Sequence, residues 1–458
     1  MKKSAEKNLT AAVLFFSFMF LQFIILRFGN QAGRGFMTSD KQELVYVFLQ
    51  VFVISGFVLF FLAKTFIKAP LPCRIITLSA VGAAVPGAAF MVFFPSDSAF
   101  YLTVTALTVF FLGVFGGAVY ERMAAYTAAG IRAGLCMSVG YSAALLLQYL
   151  IQLKWLIKPL IAVFAAVCFA ALFTVLLKEP EETENREDGK QSPRKLVFVC
   201  VIAAALLLFT AFYSGYIHHL QIASGYTEYN VYTWPRLLMI PGMLLLGFAG
   251  DIKKGVYLPL AALCVALAAL LNAALLGRSE TYLLNMCLYY ISLSAAVAYY
   301  DLTFWRIAAR SKRRAAVACI GRLLDSAIVI PVCFIPISEL PSGVVLSLNI
   351  IALAVILILM SLNGDLNIGK HASETKAPPA PDPSDALTAI GGKYGLTPAE
   401  TKVLRELVLT EDKQVAIAER LSIKVRTVQA NVTSIYRKTG VSTRSGLVQL
   451  YNDADKNA

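Results

Sequence analysis

The sequence predicts an all-α protein in two parts: a twelve-span transmembrane helical bundle, split six and six, followed by a small cytoplasmic helical domain. Three observations carry that expectation. Hydrophobic residues make up 58% of the 458 residues and charged residues 15%. Soluble domains carry about a quarter charged residues, so most of this chain is built for lipid. Apolar runs of roughly 20 residues, enough to cross a bilayer, recur through the first four-fifths of the sequence. Near Asn363 the composition turns to Gly, Pro, Ser and charge, ending in APPAPDPSD, and beyond it apolar residues recur at helical spacing in a charged background.

The expected spans lie near 9–27, 44–66, 73–94, 98–120, 131–151, 155–177, 196–217, 232–250, 256–276, 281–300, 315–336 and 341–362. The basic opening Met1 to Asn8 resembles a signal peptide, but no small-residue cleavage site follows, so it reads as a retained first helix. The charged segment Lys178 to Lys195 separates the two halves. With the N-terminus inside, the inner loops hold most of the Lys and Arg, as the positive-inside rule requires. The inner loop Trp305 to Arg314 alone has Arg306, Arg310, Lys312, Arg313 and Arg314. An even number of spans then returns the C-terminus to the cytoplasm. The resulting division is 1–362 membrane domain, 363–389 Pro-rich linker and 390–458 terminal domain. At about 3 Å per extended residue, that linker keeps the terminal domain within some tens of Å of the bilayer.

The net charge of +13 is spread over loops and tail and does not by itself name a partner. Eight cysteines sit singly in or beside apolar segments and read as small buried residues, with no metal-ligand or disulfide spacing. No catalytic constellation, cofactor motif or metal site is read, so an enzyme is not expected.

Charges inside spans are costly and mark candidate sites. Arg322 and Asp325 lie three residues apart on one helical face, where they neutralise each other, either to fix helix packing or to meet a ligand. Arg236 sits between Pro235 and Pro241, in a helix expected to kink. It either snorkels to the surface or faces a central cavity, where it would suit a carboxylate or phenolate. The stretch FYSGYIHHLQIASGYTEYNVYTWPR (212–236) gathers His218, His219, Glu228 and Tyr232 among further aromatics. It reads as an interfacial aromatic belt or as the mouth for a small aromatic ligand. Tyr289, Tyr290, Tyr299, Tyr300 and Asp301 form a second polar-aromatic cluster, and Gln22 and Gln148 are further candidate cavity residues.

The terminal domain turns on Lys424 to Lys438, KVRTVQANVTSIYRK, with four basic residues and no acidic one. Val425, Val428, Val432 and Ile435 draw one buried helical face, and Gln429, Ala430, Thr433 and Tyr436 occupy the other. Gln414 to Leu421 predicts a preceding helix and Ser422-Ile423 a tight connection, the order of a helix-turn-helix.

Leu396-Thr397-Pro398-Ala399-Glu400, Val403-Leu404, Ile417-Ala418-Glu419-Arg420-Leu421, Thr427-Val428, Ile435-Tyr436-Arg437-Lys438 and Gly440-Val441 together resemble the LuxR-type DNA-binding domain, over about sixty residues without gaps. The resemblance implies a four-helix fold. It also implies base contacts from Gln429, Ala430 and Thr433, and phosphate contacts from Lys424, Arg426, Thr427, Arg437 and Lys438. Pairing through the last helix, about Arg444 to Tyr451 with Leu447, Leu450 and Tyr451 as its apolar face, implies a dimer on an inverted-repeat operator in double-stranded DNA, with RNA polymerase as a further contact. One departure stands out. The family places a Lys near position 415 that pairs with the acid matching Glu400, and here position 415 is Val. That internal ion pair is therefore expected to be absent, at little cost to the fold.

Twelve spans in two halves resemble the major facilitator superfamily of transporters. Gly247-Phe248-Ala249-Gly250-Asp251 with Lys253-Lys254 resembles that family's Gly-Asp-basic loop, whereas the first-half counterpart, Lys64 to Arg74, lacks both Gly and Asp. The combined expectation is a one-component transcription regulator in a bacterial cell membrane, which senses a small molecule, aromatic in one reading, through its transporter-like part. A secondary transporter with a regulatory DNA-binding tail is the alternative, and a ligand-independent DNA tether is the third reading.

Overall fold

The computed structural model describes residues 2–33, 42–67, 70–96, 98–178, 193–223, 234–260, 262–263, 282–332, 334–335, 340–363, 383–410, 412 and 414–457. These residues are helical with short connections, and they divide into two compact units, Met1–Ile368 and Gly369–Ala458. The first unit contains α1 (Lys2–Gly33), α2 (Gln42–Phe66), α3 (Pro70–Phe93), α4 (Ala99–Ala128), α5 (Ala133–Gln152), α6 (Lys158–Leu177) and α7 (Pro193–Ala223). A 3-10 turn, Trp234–Leu238, then leads into α8 (Met239–Asp251), α9 (Tyr282–Ala309), α10 (Arg314–Val332) and α11 (Ser342–Asn363).

Local chemistry sets several boundaries. Ser98 caps α4 by accepting from the Tyr101 N–H, satisfying one orphan donor of the first turn. Pro159 starts α6, where its missing N–H costs nothing. Two helix crossings depend on absent side chains. At Gly56 a Cβ would lie 2.1 Å from the Phe110 carbonyl oxygen, and at Gly134 one would lie 2.1 Å from that of Gly247. Small residues of this kind let helix backbones approach in lipid, and they join α2 to α4 and α5 to α8.

Eight of the described helices are long and apolar enough to cross a membrane, and large apolar side chains such as Phe66, Val167, Phe248 and Leu362 are exposed on this unit. The chain is a multi-pass membrane protein. The seventh and twelfth expected spans contribute shorter described apolar helices, Leu196–Ala211 and Leu346–Leu362. The eighth is the 3-10 turn followed by the thirteen-residue α8. Of the ninth, only residues 258–260 and 262–263 are described as helical. The expected inner loop from Trp305 is corrected: α9 continues to Ala309, because Phe304, Trp305 and Ala308 are fully buried and hold that turn in the core.

The second unit has five described helices: α12 (Pro383–Tyr394), α13 (Pro398–Leu409), α14 (Gln414–Arg420), α15 (Val425–Thr439) and α16 (Arg444–Asn457). They share one core that includes Leu387, Ile390, Leu404, Ile417, Val428, Ile435 and Leu447. Helix α12 begins inside the stretch expected to be linker, because Leu387 and Ile390 are buried in that core. Thr397 and Glu400 form a capping box at the start of α13. Helix α14 ends on Ser422 at φ 54°, with the Ile423 N–H donating to the Ala418 carbonyl at 3.0 Å, a left-handed cap usually given to Gly. Gly440, at φ 71°, closes α15 in the same conformation.

Candidate functional site

Each unit presents one candidate. In the second unit it is the outer face of α15. Val428, Val432, Ile435 and Thr439 are buried, which turns the other side of the helix outward. Lys424, Arg426, Thr427, Gln429, Ala430, Thr433 and Arg437 are all exposed. Arg426, Ala430, Thr433 and Arg437 follow at intervals of four, three and four, one continuous helical stripe. Thr433 donates its hydroxyl hydrogen to the Gln429 carbonyl at 3.0 Å. Tyr436 is half-buried and packs on the core.

Lys438 departs from this face. Its ammonium donates to Glu400 Oε2 at 2.7 Å and to the Gly395 carbonyl at 3.0 Å. Glu400 also accepts from the Thr397 N–H at 2.6 Å, the Thr397 hydroxyl at 2.9 Å and the Ser434 hydroxyl at 2.6 Å. These partners, Lys438 foremost, then Ser434 and the Thr397 N–H, hold its carboxyl down at about 2. The pair from position 415 is absent as expected, Val415 being exposed, and Glu400 takes its lysine partner instead from the end of α15. The apolar face expected to pair two domains is corrected. Leu447 is 0% exposed within the unit's own core, and Leu450 and Tyr451 pack against it. Arg444 donates to the carbonyls of Leu407, Thr410 and Asp412, fixing α16 to the end of α13.

In the membrane unit the candidate is a buried polar cluster on α4, α9 and α10. Arg322 donates to Asp325 at 3.0 Å and to the Tyr300 hydroxyl at 3.4 Å, so the pair read from sequence forms. Tyr120 donates its hydroxyl to Asp301 Oδ2 at 3.3 Å. Asp301 is 2% exposed, and its Oδ1 has no hydrogen-bond partner among the described residues, nor do Trp305 Nε1 or Arg322 Nε. Trp305 lies one turn after Asp301 and packs edge-on against Tyr120 and Phe15, at centroid distances of 5.5 and 5.3 Å. Asp301 is close enough to Arg322 and Asp325 to interact with both charges.

The Arg236 guanidinium lies 4.9 Å over the Phe23 ring, which meets Tyr141 edge-on at 5.2 Å. Gln22 Oε1 and Gln148 Nε2 are further buried atoms with no partner among the described residues. The side chains of His218, His219, Glu228 and Tyr232 lie outside the described residues. The sequence reading missed Tyr120 and Trp305. Their aromatic character was visible, but their neighbours were not.

Asp251 accepts from the Gly134 and Leu135 N–H groups, each at 2.8 Å, capping α5 from the end of α8, and Arg306 donates to the Gly250 carbonyl.

No family model matches this sequence, and no curated protein matches it. Among solved structures, a bacterial homologue of the iron transporter ferroportin, in an outward-facing state with soaked iron, aligns with a TM-score of 0.50 at 12% identity, over 81% of this chain and 99% of that one. The human organic anion transporter MFSD10 (TETRAN) aligns with a TM-score of 0.49 at 12% identity, over 78% of this chain and 99% of that one. At such identity the likeness concerns fold alone. The membrane part of this chain shares the overall helical fold of that ferroportin homologue.

Proposed function

We propose that the protein is a membrane-anchored one-component transcription regulator. Its transporter-like part binds a small molecule, and its C-terminal unit binds promoter DNA as a LuxR-type helix-turn-helix. The single observation that carries this reading is the exposed α15 stripe. Arg426 and Arg437 bracket Ala430 and Thr433, Gln429 lies alongside, and the helix has no acidic residue. Short polar side chains between flanking cations suit base edges between phosphates. Lys438, engaged by Glu400, leaves phosphate contact to Lys424, Arg426, Thr427 and Arg437. A dimer on an inverted repeat, and contact with RNA polymerase, would have to use surface other than Leu447. The ligand would meet Arg236, Arg322, Asp325 and the cluster's tyrosines, which suits a small aromatic acid.

The test is salt-titrated DNA binding by residues 369–458, a unit with its own core. Thr433→Ala or Gln429→Ala should lower preference for the operator by about 1–3 kcal/mol, while Arg437→Ala weakens all sequences alike and reduces the salt slope by about 1. Identical behaviour of the three variants would contradict the assigned face.

A second reading, a secondary transporter whose C-terminal tail regulates it, is favoured by the fold likeness, which speaks for transport and not for DNA. The inter-helix cap at Asp251 suits either reading, since a sensor and a transporter both need two arrangements of their helices. Substrate flux through residues 1–362 alone would support this second reading over the first.

A further inference from the structure

The C-terminal unit has one helix, α12, ahead of α13–α16. In sequence it is the first described element after α11, which ends at Asn363. Its sequence, PSDALTAIGGKY, makes a poor helix alone. It is twelve residues long, and isolated helices shorter than about 12–15 residues are marginal in water even when rich in alanine. Gly391 and Gly392 lower its propensity further. The helix therefore forms by packing. Leu387 and Ile390 are each 2% exposed, and Tyr394 packs beside them on the core that holds Leu404 and Leu447. These contacts seat α12 on α13 and α16. Folding of α12 and its docking are then one step, which makes it a two-state element.

The other four helices have ties of their own. Arg444 fixes α16 to the end of α13, and Ser434 and Lys438 fix α15 to Glu400 on α13. Yet the far end of α12 also reaches α15. Gly395, at φ 61°, turns the chain from α12 into α13, with the Leu396 N–H donating to the Gly391 carbonyl at 2.9 Å. The Gly395 carbonyl accepts from Lys438 at 3.0 Å, beside the bond from the same ammonium to Glu400. Unwinding α12 removes the Gly391 carbonyl from Leu396 and frees Gly395 from its left-handed turn. Lys438, next to Arg437 on α15, then loses one of its two acceptors.

Resting on the DNA-binding reading above, we propose that α12 is a strap that regulates it. Docked, α12 fixes α15 for DNA; undocked, it lets DNA go. The chain reaches α12 from the membrane unit, so a rearrangement there acts on DNA by drawing on this helix.

The full chain in nanodiscs tests the strap, with a duplex selected from a random-sequence library by the wild-type protein. Ile390→Ser, which removes a buried anchor, should weaken binding roughly tenfold. Gly391→Cys with Thr401→Cys supplies a lock, because a Cβ at Gly391 lies 3.3 Å from Thr401 Oγ1, within disulfide reach. With the bond confirmed by peptide mass, oxidation should return Ile390→Ser to wild-type affinity and reduction should remove it again. That reversal separates an undocked strap from a misfolded unit. In the wild type, hydrogen exchange should open the amides of 387–394 well before those of α13 and α15. Unchanged affinity in Ile390→Ser, no recovery in the oxidised lock, or equal protection of α12 and α15 each overturns the strap while leaving the DNA-binding reading standing. Selection of no duplex by the wild type overturns that reading, and the strap's role with it.

Discussion

Two buried carboxylates, Glu400 and Asp301, show how differently the units treat the same chemistry. Glu400 is 5% exposed, and both of its oxygens accept hydrogen bonds from Thr397, Ser434 and Lys438. Asp301 is 2% exposed, accepts one hydrogen bond from Tyr120, and has a second oxygen with no partner among the described residues. A fully satisfied network rigidifies, and a partly satisfied one in low dielectric is costly. The C-terminal unit therefore spends its buried acid on holding one shape. The membrane unit keeps one under-satisfied beside an Arg–Asp pair.

The largest effect tests whether shape, rather than charge, holds the membrane unit. At Gly247 a Cβ would lie 2.4 Å from the Gly134 carbonyl oxygen, so Gly247→Val should separate α5 from α8 at a cost of about 3 kcal/mol. Loss of a monodisperse elution peak would register it, and a normally eluting, equally heat-stable variant would refute the close packing.

The next comparison is direct. Glu400→Gln removes the charge from a satisfied network and should cost about 2 kcal/mol in residues 369–458. Asp301→Asn keeps an acceptor for Tyr120 in an under-satisfied site, and should cost the full chain less than about 1 kcal/mol. Equal losses would erase the contrast between the units. It can be sharpened with acid. The Glu400 carboxyl titrates at about 2 in the fold against an ordinary 4.5, so its contribution is complete above the ordinary range and is lost as pH falls toward 2. Denaturant midpoints for Glu400→Gln should then lack that component of the acid decline.

The smallest effect concerns backbone. Ser422 holds a left-handed conformation at φ 54°, which costs a non-Gly residue about 1 kcal/mol. Ser422→Gly should raise the C-terminal unit's stability by up to about 1 kcal/mol, net of the entropy of the extra glycine. A lower denaturation midpoint would show that the serine is there for another reason.

What the sequence made legible follows from how local each interaction is. The buried face Val428–Val432–Ile435 and the outward Gln429, Ala430 and Thr433 follow from helical period alone, and the Arg322–Asp325 pair from a spacing of three. Tyr120 and Asp301, 181 positions apart, meet only because α4 packs on α9, and no spacing rule reaches that far. Val415 suggested a missing ion pair because the reading looked for a cation near one position. The fold brought Lys438 to Glu400 from 38 positions away. The start of α12 was hidden by the Pro-rich composition before it, since Leu387 and Ile390 become core residues only through tertiary packing.

The account's central claim is that a transporter-type membrane unit and a DNA-reading unit act in one chain. The most direct measurement is chromatin capture with the intact, membrane-embedded protein, alongside Gln429→Ala with Thr433→Ala and a chain ending at residue 362. The account predicts a small set of chromosomal sites sharing an inverted repeat, bound by the intact chain and lost in both variants, with transcripts beside those sites changing accordingly. No enriched site, together with substrate uptake that persists in the truncated chain, would contradict it and leave the transporter reading in its place.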